Sequence, residues 1–212
     1  MTLNIQALLG ANPSSDSTTE FLNDLIQHSD TSSTAPETKS YSDAVYFNYY
    51  SLGISLLFIP QKGYKPSIGM KREHLEDDSL VLDGINIYNS PKPKETPGIS
   101  TTSRRTAELA FSTYPLSKWT LSLSPEASPR NESSIEISLT TTGKDFVSCL
   151  GEPDRKGGGA GPSSGSIGIW CEWSKHGIMV EFGGDESRGP QAWERGKDAV
   201  WKVITVFSPN QG

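Results

Sequence analysis

Three segments of this 212-residue chain recur, in the same order, about 125 residues further on. Thr18-Thr19-Glu20-Phe21-Leu22-Asn23-Asp24-Leu25 is echoed by Gly143-Lys144-Asp145-Phe146-Val147-Ser148-Cys149-Leu150, with an aromatic residue and a leucine four positions later in each. The run Tyr46 to Tyr49 followed by Gly53 to Phe58 is echoed by Trp170 to Trp173 followed by Gly177 to Phe182. Leu82 to Tyr88 is echoed by Trp201 to Phe207. An internal period of this size constrains a chain more than composition does, because each copy must fold by the same local rules.

Within each copy the pattern reads as one helix and about three strands. Phe21, Leu22, Leu25 and Ile26 fall on one stripe of a helix over residues 17–27, with Ser17 as N-cap and Glu20 completing a capping box. Residues 28–40, rich in Ser and Thr, read as a loop. Strands follow over residues 44–58, turning at Ser51-Leu52-Gly53, and over 80–88, where apolar residues alternate. The second copy repeats this: Thr142 caps a helix held down by Phe146, Val147 and Leu150 and stopped by Gly151 and Pro153. Strands are expected over 167–174, 178–182 and 200–207. Ile135, Ile137 and Leu139 alternate as a further extended piece, and residues 106–114 suit a short helix.

The expected class is α+β: two tandem repeats of a helix packed on an antiparallel sheet of about three strands. Whether the two sheets merge into one is open at this level, although merging would cover edges that invite aggregation. The units are residues 1–103 and 140–212, with 104–139 connecting them.

The stretch Thr142-Gly143-Lys144-Asp145-Phe146-Val147-Ser148-Cys149-Leu150-Gly151-Glu152-Pro153 resembles the Thr-x-x-Asp-Val-x-x-x-Leu-Gly-x-Pro helix of bacterial proteins with the β-lactamase-inhibitor-protein-like fold. The small lipoprotein of the outer-membrane assembly machine shares it. The resemblance implies tandem helix-plus-sheet units, binding to another protein, and no enzyme activity. The chain departs from that family in lacking a lipidation cysteine near its start and the inhibitor's disulfides, and its long Ser/Thr/Pro-rich loops have a eukaryotic, fungal character.

With 34% hydrophobic residues, 20 glycines and 14 prolines, long polar loops must surround the core. The net charge of −6 argues against nucleic acid as partner. No apolar run is long enough for a membrane span, and the first residues lack the pattern of a signal peptide. Two cysteines, Cys149 and Cys171, suit a reducing, cytoplasmic setting.

The residues that point to chemistry lie in the second copy. Arg155, Lys156, Gly157, Gly158 and Gly159 open a Gly-rich basic loop (155–161) whose backbone N–H groups and cations suit a small anionic ligand, with a plain connector as the simpler reading. Trp170, Trp173 and Trp193 are the candidates for contact with a partner protein or peptide. Trp170 and Trp173, three apart on a strand, face opposite ways, so at most one belongs to the core. Cys149 beside His176 is the one nucleophile–base pairing available, but Cys149 reads as an inert helix thiol and His176 as a solvated turn residue. Glu172 and Glu181 form a candidate carboxylate pair on facing strands, and Glu73, Glu76, Asp77 and Asp78 read as a solvated loop. His28 and His74 lack metal-ligand spacing. The sequence thus implies a non-enzymatic protein-binding or scaffold protein without metal or cofactor. The other reading is a domain that takes a small anionic ligand, with or without catalysis, at the Gly-rich basic loop 155–161.

Overall fold

The computed structural model describes residues 4–31, 35–90, 110–124, 128–129, 132–159 and 168–209. The first helix, α1 (Asp16–Gln27), is capped two residues earlier than the capping-box pattern suggests. Ser15, not Ser17, is the cap: its Oγ accepts from the Thr18 N–H at 3.3 Å. Phe21 and Leu25 then fall on the buried stripe.

Four strands follow α1: β1 (Glu37–Ser40), β2 (Val45–Tyr49), β3 (Ile54–Pro60) and β4 (Leu80–Tyr88). A separate hairpin, β5 (Lys118–Ser122) and β6 (Ser134–Ser138), precedes α2 (Gly143–Leu150). Then come β7 (Arg155–Gly157), β8 (Trp170–Trp173), β9 (Ile178–Phe182), the one-turn helix α3 (Ala192–Arg195) and β10 (Trp201–Phe207). Of the helix expected over 106–114, residues 106–109 lie outside the described residues, and Phe111 to Tyr114 is not helical.

All strands but the hairpin join in one antiparallel sheet, in the order β1-β2-β3-β4-β10-β9-β8-β7. The two sheets therefore do merge, through five paired positions between β4 and β10. Each half supplies a helix and then four strands, entering at an outer edge and ending at the centre. The strand missing from the sequence reading is the outermost of each half: β1 within the Ser/Thr-rich stretch and β7 within the Gly-rich loop. Both are short and polar, a composition that discourages further pairing at an edge.

The same corner recurs in both halves. Gly53 and Gly177 turn one strand into the next with φ of +60° and +65°, a conformation glycine adopts without strain. The Tyr88 N–H donates to the Gly53 carbonyl and the Phe207 N–H to the Gly177 carbonyl, each at 2.9 Å. At the central junction the buried Asn89 side chain donates to the carbonyls of Leu139 and Trp201, at 2.9 and 3.0 Å. That fixes the end of β4 against the start of β10.

Alternation gives the sheet two faces. The inward rows, among them Val45, Phe47, Ile54, Leu56, Phe58, Ile85, Ile87, Ile178, Val180, Ile204 and Val206, belong to one buried cluster. Phe21 and Leu25 of α1, Leu121 and Ile137 of the hairpin, and Phe146 and Leu150 of α2 belong to the same cluster. Burying each such side chain contributes roughly 1.5–3 kcal/mol. On the outward face one row crosses all eight strands: Glu37, Asn48, Ser55, Asn86, Thr205, Met179, Glu172 and Arg155 stand opposite one another.

Candidate functional site

The second helix meets its neighbours unusually closely. A Cβ on Gly143 would lie 2.3 Å from the Gly196 carbonyl, so only glycine lets α2 approach the 3-10 turn Gly196–Asp198 this far. Asp145 Oδ2 accepts from both the backbone N–H and the hydroxyl of Thr142, at 2.8 and 2.7 Å, fixing where the helix begins. Phe146 then stacks on Trp173 and meets Phe182 edge-on. Val147, expected to help hold the helix on the sheet, is turned outward and is 37% exposed.

Between α2, the β7–β8 edge and α3 lies a groove of about 400 Å³. Val147, Pro153, Ile169, Cys171, Phe182 and Trp193 give it an apolar lining. Lys144, Lys156 and Lys197 stand around it, with Glu152 the acidic residue among its lining groups. Lys144 Nζ is 3.8 Å from Asp198, and Lys156 Nζ lies 5.6 Å over the Trp193 ring. A basic, apolar concavity on a chain of net charge −6 is a local reversal of the overall field.

The sequence-selected residues divide around this groove. Arg155, Lys156 and Gly157 form the edge strand β7, paired with Glu172, Cys171 and Trp170. Lys156 points into the groove, while Arg155 faces the other side and reaches Glu172 at 3.4 Å. The glycines are accounted for by close packing. A Cβ on Gly157 would sit 2.8 Å from the Trp170 ring, and one on Gly158 2.3 Å from the Gly168 carbonyl. Gly159 lies against Ile169 and Ala192, and its carbonyl accepts from Gly189. Residues 160 and 161 of the loop lie outside the described residues.

Of the tryptophans, Trp193 is 43% exposed and forms one wall of the groove. Trp173 is a core residue, 2% exposed, its indole N–H donating to the Gly151 carbonyl at 2.8 Å, so it presents no contact surface. Trp170 is half-buried on the outward face, covering Gly157.

His176 is buried rather than solvated, and its Nδ1 accepts from the Ser124 N–H at 3.2 Å. Cys149 is half-buried and Cys171 buried, both as free thiols. Burial pushes the Cys171 thiol up to about 11, with nearby Lys156 pulling the other way, so it stays protonated at neutral pH. Glu172 and Glu181 are not cross-strand partners: Glu172 faces Met179, and Glu181 faces Trp170. In the acidic loop, Asp77 takes two hydrogen bonds from Arg72, at 2.7 and 2.6 Å, and Arg72 lies over Phe47. That aspartate is an anchor for the loop, not a solvated charge. Among the described residues no group of three His, Cys, Asp or Glu side chains could hold a metal ion, and no helix is long and apolar enough to cross a membrane.

Comparison with protein-family models, curated proteins and solved structures finds no match to this chain.

Val147, Lys144 and Lys197 were not legible as groove residues. The one available signal was that Val147 lies beside, not on, the i, i+3, i+7 stripe of Gly143, Phe146 and Leu150.

Proposed function

We propose that the protein is a non-enzymatic binding module whose α2–β7–α3 groove takes an acidic segment of a partner protein, anchored by one apolar side chain. The observation that carries this reading is the pairing of exposed Trp193 and Val147 with three rim lysines around one apolar concavity. An aromatic and an aliphatic wall supply the desolvated anchor point, and the rim charges supply steering and register. A protonated, buried Cys171 as the only thiol in the lining favours binding over covalent chemistry. The resemblance of α2 to the inhibitor-type helix, whose family binds proteins, points the same way. So does the equal element order of the halves, which supports their origin in one duplicated unit.

Selection of peptides from a random display library on the purified protein tests the reading. Enriched sequences are expected to carry Asp or Glu flanking a Leu, Ile, Phe or Trp, and to be lost on the Lys156→Glu/Lys197→Glu protein. Enrichment without acidic residues, or equal recovery on the charge-reversed protein, sinks it.

A further inference from the structure

The outward sheet face of the first half carries a second concavity, of about 450 Å³. Its floor is part of the row that crosses the sheet: Asn48, Ser55 and Asn86 are direct cross-strand partners on β2, β3 and β4. Hydroxyl groups of neighbouring strands hold both amides. Ser55 Oγ donates to Asn48 Oδ1 at 2.7 Å, and Thr205 Oγ1 donates to Asn86 Oδ1 at 2.8 Å. With the oxygens so engaged, each Nδ2 retains two N–H donors. Rings flank the amides on both sides. Tyr46, with Tyr41 edge-on to it, stands on one side. On the other, Tyr88 and Phe111 stack with centroids 3.8 Å apart, and Tyr50 leans on Phe111. These rings form a small cluster apart from the main core. At the rim Lys39 pairs with Glu37, 3.4 Å away, and Asp43 adds a further carboxylate.

We propose that this cup is a binding site for a neutral saccharide. A pyranose ring presents an apolar face of C–H groups, which suits a tyrosine ring, and an equatorial belt of hydroxyls that both donate and accept. Oriented amide donors beside tyrosyl hydroxyls meet that belt, and the volume falls in the range of small-ligand sites. With Lys39 engaged by Glu37, an anionic ligand meets no surplus of positive charge here, unlike in the lysine-rimmed groove.

The test is an array of neutral mono- and oligosaccharides, with each retained sugar titrated calorimetrically against the full chain. Saturable binding of at least one sugar is expected. Asn86→Asp, which keeps the acceptor for Thr205 but removes the donors, and Tyr46→Ala, which removes one ring, should each weaken it at least about tenfold. Thermal melts of both variants establish that they are folded. Lys156→Glu/Lys197→Glu should leave sugar binding unchanged, so this site and the peptide groove fail independently. No saturable sugar, or undiminished affinity in both folded cup variants, overturns the proposal.

Discussion

Lys156 on the edge strand β7 and Trp193 on α3 meet across the groove, with the ammonium 5.6 Å above the indole ring. The contact orients a large exposed aromatic and a cation toward the same space, although the two residues come from elements that share no ladder. Because Trp193 is 43% exposed, Trp193→Ala should cost less than ~1 kcal/mol of stability by urea unfolding. A loss comparable with core truncation would make Trp193 a packing residue and remove its role as a docking wall.

The corner glycines should be far less replaceable than a glycine with open surroundings. A Cβ on Gly177 would sit 2.1 Å from the Phe207 carbonyl, whereas at Gly63, also at positive φ, nothing lies within 4 Å. Gly63→Ala should therefore cost only the left-handed backbone penalty, about 1–2 kcal/mol. Gly177→Ala must in addition displace β10 and should lower the melting temperature much further. Equal losses in thermal unfolding of the two variants would show that the close approach is not a constraint.

The start of α2 rests on Asp145, which accepts from both the N–H and the hydroxyl of Thr142. Asp145→Ala should destabilise the protein by about 1 kcal/mol, through the lost cap and the lost negative charge at the helix N-terminus. Hydrogen exchange of the α2 amides should rise more than that of β3. Uniform exchange would place the effect outside the helix.

Cys171 should make stability fall in alkali. Its thiol is raised from 9.0 to about 11 by burial. Below pH 9 both folded and unfolded chains hold the proton, and the contribution is fully present. Between about pH 9 and 11 the unfolded chain releases it first, so stability drops as pH rises, by on the order of 2 kcal/mol. Tyr49, pushed up to about 12 by burial, extends the decline. Urea unfolding at pH 8 and 11 should show a smaller drop in Cys171→Ala than in the parent chain. An identical drop would refute the assignment.

Local pattern carried part of this structure and stopped where long-range pairing began. β4 and β9 are legible to the residue, because alternation between a buried and an outward face is a property of the strand itself. β1 and β7 are invisible in composition: Glu37-Thr38-Lys39-Ser40 and Arg155-Lys156-Gly157 are extended only because β2 and β8 offer them an edge. Ser15 and Ser17 are equally good caps by residue type, and only the geometry of the Thr18 N–H separates them. His176 sits in a turn, as expected, but the turn is covered by Ser124 from the hairpin segment, a contact no local signal announces. Lys156 and Trp193 each stood out in the sequence for separate reasons. Their convergence goes with the close packing of Gly159, just past β7, against Ala192 and Trp193 of α3, a contact that no local pattern announces.

The most direct measure of the central claim is calorimetric titration of a display-selected acidic peptide against the parent chain and Lys156→Glu/Lys197→Glu, at two salt concentrations. Binding should weaken as salt rises, and charge reversal should lower affinity at least about tenfold with an unchanged melting temperature. Affinity indifferent to both salt and charge reversal would contradict the groove as the site of recognition.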